Sequence, residues 1–299
     1  MKGILYICPT PIGNLEDITL RTLKVLREVD LIAAEDTRHS IKLLNHYEIK
    51  KPLISYHEHN KASKGEVLIE KLLSGENIAL ITDAGMPGIS DPGEGIVNLA
   101  IENNIEIIAL PGATASITAL VLSGLNTDKF VFEGFLPPKK NDRIKELERL
   151  KFEERTIILY EAPHRILNLL EDMEAVLGNR RLSIARELTK IHEEVFRGNI
   201  IEAKNKYKNE KPRGEFVIIL EGGKIPTEKI NIKEEIISYI EEGFSKSDAV
   251  KKVAETRDIP RNLVYKESLD IWYRRTIWDC CKSLKCHPEH SEGSRLSIV

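Results

Sequence analysis

The segment with the most potential for chemistry is Thr82–Gly93, which reads TDAGMPGISDPG. It holds three glycines, two prolines and two aspartates between a short apolar run and a helical pattern. Glycines let a backbone approach a ligand closely, and prolines reduce the entropy that a loop loses on binding. Asp83 ends the apolar run, so its carboxylate can accept hydrogen bonds from an amine or a hydroxyl. The segment predicts a binding loop, with a tight strand-to-helix connection as the alternative. It lacks the GxGxxG dinucleotide spacing.

Two other loops have a similar composition. Thr10–Asp17 (TPIGNLED) follows the first apolar run and lacks the lysine of a phosphate-binding loop, which disfavours nucleotide hydrolysis. Pro111–Ser116 (PGATAS) follows another apolar run and begins a helical pattern, and its Thr114 offers a hydrogen-bond donor. Each loop alone is typical of a turn, so the prediction of a site depends on whether the loops converge.

The elements between these loops predict such convergence. Helices are predicted at Leu20–Arg27, Val67–Leu73 and Ile96–Glu102, and strands at Gly3–Cys8, Leu31–Ala34, Ile78–Thr82 and Ile105–Leu110. This alternation predicts right-handed βαβ units and a mainly parallel sheet. Ligands bind such sheets at the carboxyl ends of the strands. We therefore predict one ligand site where the loops meet.

The second half of the chain predicts a different sheet. Its strands are predicted at Lys129–Gly134, Thr156–Tyr160, Arg181–Ala185, Glu193–Gly198 and Glu215–Glu221. Fewer helical patterns separate them, which favours a mixed sheet. A linker at Leu220–Glu228 and a helical unit at Ile230–Leu269 follow, with Ser245 and Asp248 resembling a capping box. The predicted domains are 1–119, 120–224 and 225–271, and 272–299 is predicted to be a disordered tail.

Composition narrows the function classes. The chain has 299 residues, 41% of them hydrophobic, and a net charge of -3, so any contact with RNA must come from a local basic patch. The chain contains no stretch of about 18 apolar residues that would predict a membrane span, and the N-terminal apolar run is too short for a signal peptide.

Four cysteines are too few, in a chain of this length, for a disulfide framework, which favours the cytoplasm. Cys280, Cys281, Cys286, His287 and His290 match no common zinc spacing, so no metal is expected.

Seven ordered segments closely resemble the ribosomal RNA small subunit methyltransferase I family, within the tetrapyrrole methylase superfamily. They read PTPIGNLEDIT, AEDTRHS, TDAGMPGISDPG, LPGATAS, YEAPHR, ARELTKIHEE and RGEFVIILEG, and the resemblance covers about residues 1–270. It implies a two-domain α/β fold, with a parallel-sheet N-terminal domain, a mixed-sheet second domain and a small C-terminal helical unit. It also implies S-adenosylmethionine in a cleft between the domains, a homodimer, and 2′-O-methylation of a cytidine in the decoding region of 16S rRNA in the small ribosomal subunit.

Matching these segments to the family one by one implies a set of donor-binding residues. Pro11 matches the first loop, and Tyr160 matches the end of the first strand in the second domain, on the adenine side. Leu188 matches a further backbone contact. The remaining matches are Asp83, Gly85 and Met86 along the methionine and ribose portions, and Thr114 and Ala115 as the small pair after Pro-Gly.

Candidates for catalysis lie in two short motifs. A carboxylate or an imidazole could take the proton of a ribose hydroxyl, and a guanidinium could hold a neighbouring phosphate. The candidates are Glu35, Asp36 and Arg38 in EDTR, and His164 and Arg165 in PHR. The alternative for the two acidic residues is a helix N-terminus favoured by the dipole. For His164 the alternative is a helix-start residue, and Glu187 with Lys190 is better explained as a structural ion pair.

A basic segment offers a candidate contact with RNA. Its predicted RNA-binding residues are Lys139, Lys140 and Arg143, together with Arg165. A second basic run lies at 204–213. Acidic residues are interleaved in the first segment, so a solvated face is the alternative, and the helical unit is either a further RNA module or a packing surface.

Three other functions compete with RNA methylation. A tetrapyrrole C-methyltransferase would share the fold and the donor site. A non-catalytic ribosome assembly factor would keep the donor as a structural ligand. A nicotinamide enzyme is disfavoured because its fingerprint is absent.

Overall fold

The computed structural model describes residues 1–210, 213–223, 232–257, 259–269 and 271. Two compact units are present, Met1–Ile225 and Pro226–Val299. The first unit contains two sheets, and the predicted domain bounds stay a prediction. The predicted tail at 272–299, with its cysteines and histidines, lies outside the described residues.

The first sheet is wholly parallel, with the strand order β3-β2-β4-β1-β5. Its strands are β1 (Ile4–Ile7), β2 (Leu31–Ala34), β3 (Leu53–Ser55), β4 (Ile78–Ile81) and β5 (Glu106–Ala109). Its helices are α1 (Leu20–Glu28), α2 (Thr37–His46), α3 (Lys61–Leu73), α4 (Glu94–Glu102) and α5 (Ala115–Ser123). All residues of β2 and β4 are buried, as expected for strands with both faces covered by other elements. The predicted parallel sheet is confirmed, while α2 and β3 were not predicted.

The second sheet is mixed, with the order β6-β7-β10-β8-β9. Its strands are β6 (Phe130–Phe135), β7 (Thr156–Glu161), β8 (Arg181–Arg186), β9 (Glu194–Asn199) and β10 (Phe216–Leu220). Only β6 and β7 pair in parallel, and the other three pairings are antiparallel. The helices are α6 (Lys140–Leu150), α7 (Ile166–Leu177) and α8 (Ile200–Asn209). The mixed sheet is confirmed, although the sequence did not indicate α7 and α8.

Helix α5 belongs by sequence to the first half but packs on the second sheet. Its buried Ala119 and Leu120 share an apolar cluster with Ile158 and Val217 of that sheet. Ile12, from the loop after β1, joins the same cluster. This cluster therefore holds the loop after β1 and helix α5 against the second sheet.

The second unit contains the helices α9 (Ile232–Glu241), α10 (Lys246–Arg257) and α11 (Arg261–Ser268). Its apolar core is formed by Ile236, Ala249, Val250, Val253, Ala254 and Val264. The predicted cap of α10 is confirmed, since Ser245 Oγ accepts a hydrogen bond from Asp248 N at 3.1 Å. None of the described helices has the length and apolar character needed to cross a membrane.

Candidate active site

A cavity of about 540 Å³ lies where the loops of the first sheet meet the second sheet. From the first half of the chain it is lined by Ile12, Glu35, Asp83, Ala84, Gly85, Met86, Ile89, Ser90, Asp91, Thr114 and Ala115. From the second half it is lined by Phe135, Tyr160, Glu161, Ala162, Pro163, His164, Glu187, Leu188, Lys190, Glu215, Phe216 and Val217. The predicted convergence of loops is therefore present in the structure.

Two of the loops are held together by a pair of backbone hydrogen bonds. Thr10 N donates to Gly85 O at 3.0 Å, and Gly85 N donates to Thr10 O at 3.1 Å. Gly85 has a φ of 83°, and a Cβ there would lie 3.3 Å from Ile12 Cγ2. Glycine is thus favoured both by the backbone conformation and by the close approach of the first loop. Pro11 is buried behind this contact and does not line the cavity.

The third loop packs against the first and begins α5. A Cβ on Gly112 would lie 2.3 Å from Pro9 Cγ, so only glycine allows this contact. Thr114 is the N-terminal cap position of α5, and its Oγ1 donates to Gly112 O at 3.3 Å instead of capping the helix. Thr114 and Ala115 both reach the cavity wall.

Aromatic rings form one wall of the cavity. The ring of Tyr160 meets Phe135 edge to face at a centroid distance of 5.5 Å, and Phe132 at 5.1 Å. The Tyr160 hydroxyl accepts a hydrogen bond from Ser116 N at 3.2 Å. Burial raises the pKa of this hydroxyl above its usual value, so it is neutral at physiological pH.

The loop after β8 forms the facing wall with a strained backbone. Glu187 and Thr189 have positive φ angles of 52° and 65°, a conformation that non-glycine residues adopt rarely. Glu187 Oε1 accepts hydrogen bonds from Lys190 Nζ at 2.8 Å and from Glu215 N at 3.2 Å. These bonds hold Leu188 against the cavity, and they match the expected ion pair.

Six carboxylates line the cavity. Glu161 and Glu187 are paired with Arg165 and Lys190, whereas four form no ion pair with any residue that the structure describes: Glu35, Asp83, Asp91 and Glu215. Burial raises the pKa of Glu35, and the charges of Asp91, Asp83 and Asp36 add to this effect. Burial also raises the pKa of Asp91, assisted by Asp83 and Glu215. Asp83 Oδ1 accepts a hydrogen bond from Asp36 N at 3.3 Å. The cavity therefore presents clustered negative charge to a ligand.

The catalytic candidates of the EDTR motif separate in space. Glu35 lines the cavity, whereas Asp36 and Arg38 do not. Asp36 caps α2 by accepting a hydrogen bond from Arg38 N at 2.8 Å, which was the alternative considered for it. The side chain of Arg38 is 89% exposed and pairs with Asp36 at 2.8 Å. Hydrogen bonds from Arg38 lower the pKa of Asp36 to about 2.

In the PHR motif, His164 is exposed and lines the cavity. Arg165 does not line it and turns back into the protein. Its Nη2 donates to Leu136 O at 2.6 Å, and its Nε lies 3.0 Å from Glu161 Oε1. Burial raises the pKa of Glu161. The guanidinium of Arg165 thus contacts Leu136 and Glu161 within the protein and does not face outward toward an RNA phosphate.

Arg143 is a second candidate for RNA binding, after Arg165, whose guanidinium the structure places in internal contacts. Arg143 is only 5% exposed, and its Nε and Nη2 donate to Asp172 Oδ2 at 2.8 and 2.6 Å. Its guanidinium is used in a buried ion pair because it lies on the inner face of α6. Lys139 and Lys140, at the start of the same helix, are exposed and accessible to a phosphate.

Several cavity residues were not assigned to the site from the sequence. Glu215 stands just before β10, which runs antiparallel to β7, so the beginning of β10 lies beside the end of β7. Phe135 ends β6, a strand in which no site residue was predicted. Asp91 lies in the same loop as Asp83 and Gly85, but it was not among the residues matched to the family. Among the described residues, no group of three or more histidine, cysteine or acidic side chains could hold a metal ion.

Comparison with known proteins defines the class. Residues 4–204 match the family model described as tetrapyrrole (corrin/porphyrin) methylases. The fold is similar to that of uroporphyrin-III-C-methyltransferase from Thermus thermophilus, with a TM-score of 0.53, 18% identity, and coverage of 73% of this chain and 94% of that one. It is also similar to diphthine synthase, with a TM-score of 0.56, 15% identity, and coverage of 73% and 89%. The fold is thus that of a tetrapyrrole methylase.

Closer relatives narrow the class to one family. Proteins named ribosomal RNA small subunit methyltransferase I are 49% identical in Synechocystis sp., covering 90% of this chain and 98% of that one. The relative in Bacillus subtilis is 47% identical, covering 88% and 93%. The relative in Escherichia coli O157:H7 is 44% identical, covering 90% and 96%. The chain belongs to the ribosomal RNA small subunit methyltransferase I family, and the resemblance found in the sequence is confirmed.

Proposed function

We propose that this protein transfers a methyl group from S-adenosylmethionine to the 2′-oxygen of a cytidine in the decoding region of 16S rRNA. Membership in the family supports the coarser statement, methylation of ribosomal RNA with S-adenosylmethionine as the donor. The observation that carries the chemistry is that Glu35 and the three loops line the same cavity.

The residues of the cavity fit the donor. A volume of about 540 Å³ is in the range expected for a ligand of this size. Tyr160 and Phe135 offer apolar rings for an adenine, and the carboxylates can accept hydrogen bonds from ribose hydroxyls and an ammonium group. Seven of the eight residues matched from the family line this space: Asp83, Gly85, Met86, Thr114, Ala115, Tyr160 and Leu188. Pro11 supports the first loop from behind.

The chemistry requires an activated oxygen beside an electrophilic carbon. The donor supplies a methyl group on a positively charged sulfur, which becomes neutral when the carbon–sulfur electron pair remains on it. The 2′-oxygen forms the new bond to the methyl carbon and gives up its proton. Glu35 is the base that we assign, because it lies in the cavity and its raised pKa makes its carboxylate a stronger proton acceptor than an ordinary one.

The charge of the cavity constrains how RNA binds. Phosphates are repelled by the clustered carboxylates, so only a flipped-out nucleoside enters, and the backbone stays outside. Lys139, Lys140 and Arg38 are exposed and can contact that backbone. His164, exposed at the cavity, can contact the acceptor nucleoside. We further propose, from the family resemblance, that the protein acts as a cytoplasmic homodimer on the small ribosomal subunit.

Methyl transfer to ribosomal subunits tests the proposal. Labelled S-adenosylmethionine is incubated with small subunits that lack this modification and, in a parallel reaction, with a tetrapyrrole acceptor. The labelled nucleotide in the subunits is then mapped. We expect label on the 2′-oxygen of one cytidine in the decoding region. Label on a tetrapyrrole acceptor instead would support the C-methyltransferase alternative. Binding of donor and subunit without any methylated product would support a non-catalytic assembly factor.

A further inference from the structure

Four of the six carboxylates that line the cavity have no cationic partner in the part of the chain that the structure describes. Glu35, Asp83, Asp91 and Glu215 form no ion pair with any residue that the structure describes. Lys190, which also lines the cavity, is bound to Glu187 at 2.8 Å. Uncompensated carboxylates in a partly buried space repel one another, and a cationic ligand would offset this repulsion.

Asp91 is the residue that connects the cluster. Its charge contributes to the raised pKa of Glu35, and the charges of Asp83 and Glu215 contribute to its own. Asp91 and Glu215 also raise the pKa of Tyr160. Asp91 is thus near the carboxylates of both sheets and near the aromatic wall. Asp91 lines the same cavity as Glu35, Asp83 and Glu215, so its carboxylate attracts a cation that is bound there.

The donor and the product of the proposed reaction differ by one charge. S-adenosylmethionine carries a sulfonium, whereas S-adenosylhomocysteine carries a neutral thioether, and the rest of the two molecules is the same. A carboxylate a few ångströms from a cation in a partly buried site attracts it more than in bulk water, because the effective dielectric constant is lower. Negative charge near the sulfur therefore strengthens the binding of the donor. It does not strengthen the binding of the neutral product to a comparable extent.

We propose that Asp91, together with Glu215, makes this cavity select the cationic methyl donor over its neutral product. The inference rests on the proposed function, and it adds a specificity-determining role that the methyl-transfer step itself does not require. Its consequence is that the attraction disappears when the methyl group leaves. The product is then released more readily and inhibits the next turnover less.

Calorimetric titration of three ligands tests this proposal. The ligands are S-adenosylmethionine, S-adenosylhomocysteine, and sinefungin, which carries a protonated amine in place of the sulfonium methyl. For Asp91→Asn we expect the affinity for both cationic ligands to fall about tenfold, or about 1.4 kcal/mol, and that for S-adenosylhomocysteine to change by less than about threefold. Glu102→Gln is the matched control, because Glu102 is exposed at the end of α4 and does not line the cavity.

The outcomes separate this inference from the proposed function. An equal loss of affinity for all three ligands would overturn the inference, since Asp91 would then hold a group common to them. If the wild-type protein bound none of the three, the proposed function itself would fail. Glu215→Gln provides a second variant should Asp91→Asn fold poorly, and the same preferential loss of cationic ligands is expected.

Discussion

The hydroxyl of Tyr160, at the end of β7, accepts a hydrogen bond of 3.2 Å from the backbone N–H of Ser116, in the first turn of α5. This bond joins the loop after β5 of the first sheet to a strand of the second. It satisfies one of the N–H groups that a helix leaves without an internal partner at its start. The same tyrosine ring lines the cavity, so the tether and the ligand surface are parts of one side chain.

Replacing Tyr160 by phenylalanine separates these two roles. Because the hydrogen bond is lost but the ring is retained, we expect Tyr160→Phe to lower the free energy of unfolding by about 1 kcal/mol. Donor affinity should stay within about threefold, whereas Tyr160→Ala should lower it by more than about tenfold. Denaturant unfolding and calorimetry measure the two quantities. Equal losses of affinity in both variants would show that the hydroxyl, not the ring, supports the ligand.

Neutralising Glu35 should affect the chemical step rather than donor binding. Glu35→Gln keeps the shape of the side chain but cannot accept the proton, so single-turnover methylation should slow by about 10²-fold or more. Asp36→Asn is the matched control, because Asp36 caps α2 outside the cavity. If Asp36→Asn slowed methylation as much as Glu35→Gln, the base would be assigned wrongly.

The raised pKa of Glu35 predicts the pH dependence of stability. Its pKa is above the ordinary value of 4.5 in the folded protein, so the folded state binds more protons between these two values. The free energy of unfolding therefore falls as pH rises through this window. Glutamine does not titrate, so Glu35→Gln should be more stable than the wild type at neutral pH. This difference in unfolding free energy should disappear when the pH falls below the ordinary pKa of 4.5. Thermal unfolding across pH measures this, and a pH-independent difference would contradict it. Methylation should correspondingly weaken as pH falls through the raised pKa.

The correction of Arg143 predicts that stability and RNA binding depend on different residues of α6. Arg143→Ala leaves the buried Asp172 with only a longer contact of 3.7 Å to the exposed Lys140, which should cost about 3–5 kcal/mol in unfolding free energy. The double variant Lys139→Gln with Lys140→Gln loses only the 3.7 Å ion pair of the exposed Lys140 with Asp172, so stability should stay nearly unchanged. Binding to ribosomal RNA should weaken, and its salt dependence should decrease. Filter binding at several salt concentrations measures this. Unchanged RNA affinity in the lysine variant would remove this surface from the RNA-binding site.

Gly13, in the loop after β1, should be needed for the close packing of that loop against the loop after β8. A Cβ at Gly13 would lie 2.5 Å from Lys190 Cγ and 2.7 Å from Leu188 O, so the loop after β8 must move. We expect Gly13→Ala to cost about 1–3 kcal/mol in unfolding free energy and to weaken donor binding. Gly95→Ala is the control, because its Cβ would lie 3.5 Å from the Tyr56 hydroxyl, an ordinary contact, in helix α4. Unchanged donor affinity in Gly13→Ala would show that the contact between these loops does not shape the site.

Much of the parallel sheet follows from the sequence because four of its strands are short apolar runs, and two of these, β2 and β4, are buried throughout. Such runs, separated by helical periodicity, indicate β1, β2, β4 and β5 directly. Strand β3 escaped prediction because Leu53–Ser55 is only three residues long and partly exposed. Its sequence therefore lacks the length that distinguishes a strand from a loop.

The sequence by itself determined the three glycine-containing loops and their position after strands. Those features are local, because loop composition and hydrophobic periodicity are written in neighbouring residues. Only the tertiary structure placed Glu215 and Asp91 together, separated Glu35 from Asp36, and turned Arg143 inward to Asp172. These outcomes depend on strand order and on which face of a helix is buried. The physical reason is that the sequence gives the type of a charged residue but not its surroundings, which are set by contacts between distant segments. The same residue can face water, a ligand or a buried partner.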